Sequence, residues 1–337
     1  MGFRLTALVM LSVAGVVAGY LTDASALGSD DGTARAAEAA AAASADYPGT
    51  GPIEAALELE TTAKGFEAVT RGGRVTIGTE PHPRVSLVAP GRSSVTLSGA
   101  LPGTSVESEG RQVWSAGSWS AIPLAHRDGS VQILTVVDNE EAPATYRYTM
   151  RSTSAVKVEV SDDGGAVVIG ADGEFVAGAV KPWAYDADGA AVPTRFEARG
   201  SELVQIIDHR GGGFTYPITA DPWLGINLFD YGTVSTSNGQ AKVNLLPSAW
   251  GMSMWASVSG HLIMNTAGWD EARARWSKVR AALDSKRTMR QQYECHVAGA
   301  PLTGGWWNLE KWRPTRTVHW SYGMLIHECN WTTATRY

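Results

Sequence analysis

Cysteine is almost missing from this chain: 337 residues hold two, Cys295 and Cys329. That excludes a disulfide-dense scaffold and leaves one possible intramolecular pairing. Long apolar runs are confined to the first 21 residues, so no later stretch can span a bilayer as a helix. Lysine is scarce, 7 residues against 21 arginines. No GxSxG, HExxH or P-loop spacing occurs anywhere, which removes the common sequence signatures of serine hydrolases, zincins and P-loop nucleotide hydrolases. Charged residues make up only 18% and apolar ones 44%, a balance that fits a globular chain and excludes a disordered one. The length favours two domains over a single core.

The N-terminus has the form of an export signal. Arg4 precedes the apolar stretch "LTALVMLSVAGVVAGYL", and Ala24, Ser25 and Ala26 supply a small-residue cleavage site. Gly15 and Gly19 interrupt the apolar run, which argues against a permanent anchor. The expectation is a signal peptide over 1–26, a low-complexity linker over 27–52, and a secreted, extracytoplasmic protein with no stable membrane insertion after cleavage. Disulfides persist in such a compartment, so Cys295 and Cys329 are expected to be bonded.

From 53 to 222 the chain reads as β-rich. Short apolar runs such as "RVSLV", "VQILTVV", "ATYRYTM" and "LVQIID" are punctuated by "RDG", "DDGG" and "ADG" turns. The spacing predicts an all-β, sandwich-like antiparallel region. "AALELETTAKGFEAV" fits helix or strand equally. His82, His126 and His209 lie in no catalytic pattern and read as surface histidines. The stretch 176–223, with "PWAYDADGAAVPT", "LVQIIDH" and "YPITADPW", resembles a β-rich module found in exported actinobacterial proteins ahead of variable C-terminal domains. That resemblance implies a secreted N-terminal module ending at "ADPW". Charge reverses at the same point: residues 27–223 sum to −11 and residues 224–337 to +5.

Residues 223–337 hold ten of the 13 tryptophans, and the expectation is a small, disulfide-closed α+β domain. Trp269, Ala272, Trp276, Val279 and Leu283 form one apolar stripe at helical spacing, with Thr266 or Gly268 as cap and Glu271–Arg275 as an i,i+4 pair. Its outer face is basic through Arg273, Arg275, Lys278 and Arg280. This is either an ordinary solvated face or a footprint for an anionic polymer. "QQYECHV" alternates as a strand would, turning Tyr293, Cys295 and Val297 inward and Gln292, Glu294 and His296 outward.

Two readings of the cluster near the cysteines stand. A disulfide would bring His296 and His327 together, and with Glu310 and Arg313 these could cleave a phosphodiester by general acid–base chemistry. Alternatively, Arg313 or Glu310 simply ties the "WNLEKWRP" turn to the backbone. A Cys2His2 zinc site is disfavoured because Cys295 and His296 are adjacent; no metal or cofactor is expected. "AGWDEARARW", "QYECHVAGA", "WNLEKWRP" and the "CN" of Cys329–Asn330 resemble, in order, an exported domain of unknown function in mycobacterial and related secreted proteins. That family implies no activity and no site residues. The leading expectation is a secreted binding or interaction module with an unknown protein or cell-surface partner. The alternative is a secreted effector whose basic C-terminal domain is a hydrolase, for example a nuclease.

Overall fold

A computed structural model describes residues 56–336, apart from Lys64, Glu109, Gly110 and Gly304. The expected export signal over 1–26 and linker over 27–52 lie outside the described residues. The first part is two antiparallel sheets packed face to face. The eight-stranded sheet runs in the order Glu60–Thr62, Gly65–Thr70, Gly73–Ile77, Arg84–Val88, Val95–Gly99, Thr145–Ser152, Glu202–Ile207, Thr194–Arg199. Within the stretch that was ambiguous in sequence, Glu60–Thr62 and Gly65–Thr70 are thus strands. Alternation dictates this sheet: Val85 and Leu87, Val95 and Leu97, and Tyr146, Tyr148 and Met150 all point to the shared core.

The ten-stranded sheet runs Val156–Val160, Ala166–Gly170, Phe175–Ala179, Trp223–Gly225, Val131–Val137, Trp119–Ala125, Arg111–Ser115, Thr104–Ser108, with two short strands beside this path. Its central strands Trp119–Ala125 and Val131–Val137 are buried at every position. The other sheet covers one face; a second apolar cluster built on Ile122, Leu134, Val136 and Trp183 covers the other. That double coverage explains why "VQILTVV" is continuous rather than alternating. Gly129 (φ 79°) and Gly173 (φ 82°) supply the left-handed residue of two of the Asp-Gly turns. Asp221 of "ADPW" accepts the backbone N–H of Trp183 at 3.0 Å, joining the two ends of the "PWA…ADPW" stretch. Full burial pushes its carboxyl up to about 8.

His126 and His209, expected at the surface, are buried at 5% and 1% exposure. His126 packs against Trp223, and the His209 Nδ1 lies 2.8 Å from the Tyr216 hydroxyl. His82 is exposed.

Trp223–Gly225 pairs with two strands of the sandwich, and the chain then enters the hairpin Phe229–Ser237/Gln240–Pro247, to which Trp307–Glu310 adds a third strand. Helices Ala249–Trp255, Val258–Ile263, Trp269–Arg275, Ser277–Leu283 and Arg287–Thr303 gather against this sheet. The C-terminal core includes Trp250, Met264, Tyr293 and Trp307 together with Val180 and Trp223 of the first part. Gly225 is required where the two meet. A Cβ there would stand 2.4 Å from the fully buried Trp250 ring. Gly225→Ala is therefore expected to cost about 1–3 kcal/mol by overpacking, read as a lower urea midpoint; an unchanged midpoint would contradict this packing. No helix among the described residues is long and apolar enough to cross a membrane.

Two helical expectations need correction. The stripe from Trp269 to Leu283 is two helices, because Trp276 is extended (φ −132°, ψ 104°) and its ring lies against Gly232 and under Arg275. A π-helical turn, Met264–Gly268, runs directly into the first of them, so neither Thr266 nor Gly268 is a side-chain cap. "QQYECHV" is not a strand but the middle of the 17-residue helix Arg287–Thr303. Gln291, Gln292, Tyr293, Cys295, His296 and Val297 are all buried. A helix enclosed on most sides shows no polar stripe, and a short window of it can mimic alternation.

Candidate functional site

The cysteines meet as expected: Cys295 on the long helix is bonded to Cys329, with S–S 2.09 Å and Cα–Cα 5.6 Å. Cys329, Cys295 and Trp331 form a small core of their own, with Trp320 and Met324 packed on it. The turn that delivers Cys329 needs unusual backbone, with Glu328 and Cys329 at φ 44° and 65°, and His327 holds it. The Cys329 N–H donates to His327 Nδ1 at 3.0 Å, while Nε2 faces the carbonyls of Trp320 and Tyr322 at 3.1 and 3.2 Å. Both ring nitrogens are thereby used in a neutral imidazole. Burial holds its pKa below the usual histidine value.

His296 is 3% exposed, stacked parallel to Trp307, with Nε2 3.3 Å from the Asn308 carbonyl. Its Nδ1 is buried with no hydrogen-bond partner among the described residues. Burial drives its pKa down to about 4, against a small opposing pull from that carbonyl. The folded pKa lies below the unfolded 6.5, so the neutral ring adds stability that is complete above pH 6.5 and lost as pH falls toward 4. The difference amounts to about 3 kcal/mol. His296→Gln should flatten the fall in melting temperature between pH 6.5 and 4. A variant curve as steep as the native one would contradict it.

Glu310 and Arg313 are paired, Nε to Oε2 at 2.6 Å. Arg313 Nη1 also donates to the carbonyls of Asn330 and Trp331, and Glu310 Oε1 accepts from the Ser237 hydroxyl at 2.8 Å. Burial works to raise the Glu310 carboxyl, but the Ser237 bond and the Arg313 charge hold it below its ordinary value. The pair thus ties the "WNLEKWRP" turn to the chain end. Among the described residues no hydrogen bond, ion pair or ring pair links His296 to His327 or either histidine to Glu310 or Arg313, although the Arg313 charge helps to lower the His327 pKa.

The basic face also differs from the sequence expectation. Arg275 is turned inward, its side chain 3% exposed, and donates to Glu271 at 2.7 Å and to the Phe229 carbonyl. Arg275 ends the first helix and reaches back one turn to the fully buried Glu271. Arg273 is bound to Asp284 at 2.8 Å and Arg280 lies 3.8 Å from the same carboxylate. Lys278 stays exposed.

Several residues that organise this region have no sequence signature. Glu271, fully buried, accepts the backbone N–H groups of Leu228 and Phe229 at 2.8 and 3.1 Å. Asp128 accepts the backbone N–H of Trp250 at 2.9 Å, and Asn227 donates to the carbonyls of Gly72 and Asp128. Gln291 and Gln292 each clamp a peptide group in both directions: Gln291 on Arg316, Gln292 on Glu310. Only the adjacent "QQ" hinted at them.

The described residues include two sizeable concave regions. A hollow of about 690 Å³ is lined by Val180, Trp183, Tyr185, Trp223 and Met254, with Asp163 and Lys181 beside them. A groove of about 1140 Å³ lies between the sandwich and the helices, lined by Arg92, Glu174, Phe175, Ile263 and Asp270 among others. Neither is lined by His296, Glu310, Arg313 or His327. Among the described residues no three His, Cys, Asp or Glu side chains come together as a metal-ligand set.

The fold is thus an antiparallel β region followed by a disulfide-closed, tryptophan-rich α+β unit whose polar residues are mostly framework. Residues 234–332, which cover most of that unit, match the family described as Protein of unknown function (DUF2599). No curated protein and no solved structure matches the chain.

Proposed function

We propose that the chain is a non-enzymatic binding protein that acts outside the cytoplasm, with the C-terminal unit as its recognition end. One observation carries this reading: the four side chains best suited to acid–base chemistry are engaged in the frame. His327 and Arg313 spend their hydrogen bonds on backbone carbonyls and N–H groups, Glu310 is held by Arg313 and Ser237, and His296 is sealed against Trp307. General acid–base catalysis needs a proton-transferring group within reach of substrate. By contrast, Tyr322, Leu325 and Ile326 are exposed at 55%, 77% and 65% on the segment held by the disulfide, and Trp306, beside the strand Trp307–Glu310, at 43%. Rigidly held, exposed apolar and aromatic side chains suit recognition. The apolar N-terminal run followed by Ala24–Ala26 supports export.

The test is co-sedimentation of the purified chain, from residue 27 on, with a bacterial envelope fraction, alongside product analysis on RNA, DNA and the envelope itself. Retention with no product supports binding. Product that disappears in His296→Gln or His327→Gln would instead establish the hydrolase reading.

A further inference from the structure

The outer face of the C-terminal sheet carries a pattern that neither the fold nor the disulfide requires. Strand register places its side chains in rows across Phe229–Ser237, Gln240–Pro247 and Trp307–Glu310. Inward lie Val234, Val243 and Leu309, with Val243 and Leu309 fully buried under the helices. Outward lie Thr233–Asn244–Asn308 in one row and Ser235–Lys242–Glu310 in the next. These are exposed or half-buried. Aromatic rings close both ends. Tyr231 and Trp306 meet at 5.9 Å beyond the first row, and Trp312 bonds Ser237 at 3.2 Å beyond the second. The strip from Tyr231 to Ser237 is about 20 Å long at strand rise.

We propose that this face binds a carboxylated polysaccharide. The proposal rests on the binding reading above and names the ligand class. Amide and hydroxyl side chains both donate and accept, which suits the alternating hydroxyls of a sugar chain. Exposed aromatic rings offer apolar surface to the C–H faces of a sugar ring while keeping a polar edge in water. The charge on the face sets the sign of the ligand. Glu310 is neutralised by Arg313. Lys242 has no ion pair among the described residues, and exposed Arg71 of the sandwich lies 3.8 Å over the Tyr231 ring. Lys242, together with Arg71, whose charge also acts on the Asp230 carboxyl, leaves the face only weakly basic, which fits sparse carboxylates better than the dense phosphates of a nucleic acid, which call for many basic contacts.

The experiment is native affinity electrophoresis of the chain, from residue 27 on, in gels containing polygalacturonate, dextran or single-stranded DNA. Polygalacturonate should retard it, dextran and DNA much less. Lys242→Glu and Arg71→Glu should each weaken retardation about tenfold, as expected for reversing one exposed charge at the contact. Trp306→Ala should weaken it by at least about threefold, and Lys278→Glu, on the helical side, should leave it unchanged. These side chains are exposed or half-buried, so a thermal melt verifies folding in each variant. The proposal is overturned by an unretarded folded chain, by stronger retardation with DNA, or by a Lys278→Glu loss equal to that of Lys242→Glu. If retardation fails while envelope co-sedimentation persists, the binding reading stands with its site elsewhere; if both fail, both are wrong.

Discussion

Glu271→Ala is expected to destabilise the folded chain by about 3–5 kcal/mol, the range for removing one partner of a buried ion pair. Glu271 is fully buried and accepts from two consecutive backbone N–H groups of the segment linking the sandwich to the C-terminal sheet. It also takes a charge-assisted bond from Arg275 at 2.7 Å, with Arg92 of the sandwich 3.9 Å away. Truncation leaves two peptide N–H groups without their acceptor and a buried guanidinium without its counter-charge, with only the Phe229 carbonyl, among the described residues, still accepting from it. Denaturant unfolding of Glu271→Ala and of the double variant Glu271→Leu/Arg275→Met separates the effects. The double variant should be less damaged than the single one, since it removes the stranded charge. Equal loss in both would mean that the backbone contacts matter and the ion pair does not.

The second large effect is loss of the disulfide. Cys295→Ser with Cys329→Ser opens a loop closed over a sequence separation of 34 residues, for which the chain-entropy model gives about 3–4 kcal/mol. The damage should be local. Residues 316–331 contain only a four-residue helix, Met324–His327, too short to persist unaided. What remains to hold them is a set of side-chain clasps: Arg313 on Asn330 and Trp331, Arg316 on Tyr322 and Arg336, His327 on its own turn. Limited proteolysis of the serine variant should cut first within this segment while the sandwich stays intact. Cleavage beginning in the sandwich would show that the disulfide stabilises something other than the C-terminal segment.

The β region was legible because its signals are local. Alternation in "RVSLV" and "YRYTM" and the Asp-Gly turns act within a few residues. The disulfide was legible because two cysteines permit one pairing. The long helix around Cys295 was not, since burial on nearly all sides erased the polar stripe that marks a helix, and a seven-residue window then fitted a strand. Trp276 broke a stripe that looked continuous because its ring fills the space above Gly232, a contact 44 positions away. The roles of the site candidates were not readable. A histidine that donates to a carbonyl and one that takes a substrate proton look the same in sequence. Glu271, Asp128 and Asn227 act across 42 to 155 residues of separation and left no pattern to find.

The central claim is that His296, His327, Glu310 and Arg313 are framework and not catalytic. It is tested most directly by measuring melting temperature and hydrolysis of RNA, DNA and envelope material on the same preparations of the native chain, His296→Gln and His327→Gln. The account predicts that both variants melt below the native chain at pH 7 and that all three proteins release no product. A native chain that turns over one of these substrates, and a variant that loses turnover while keeping the native melting temperature, would contradict it.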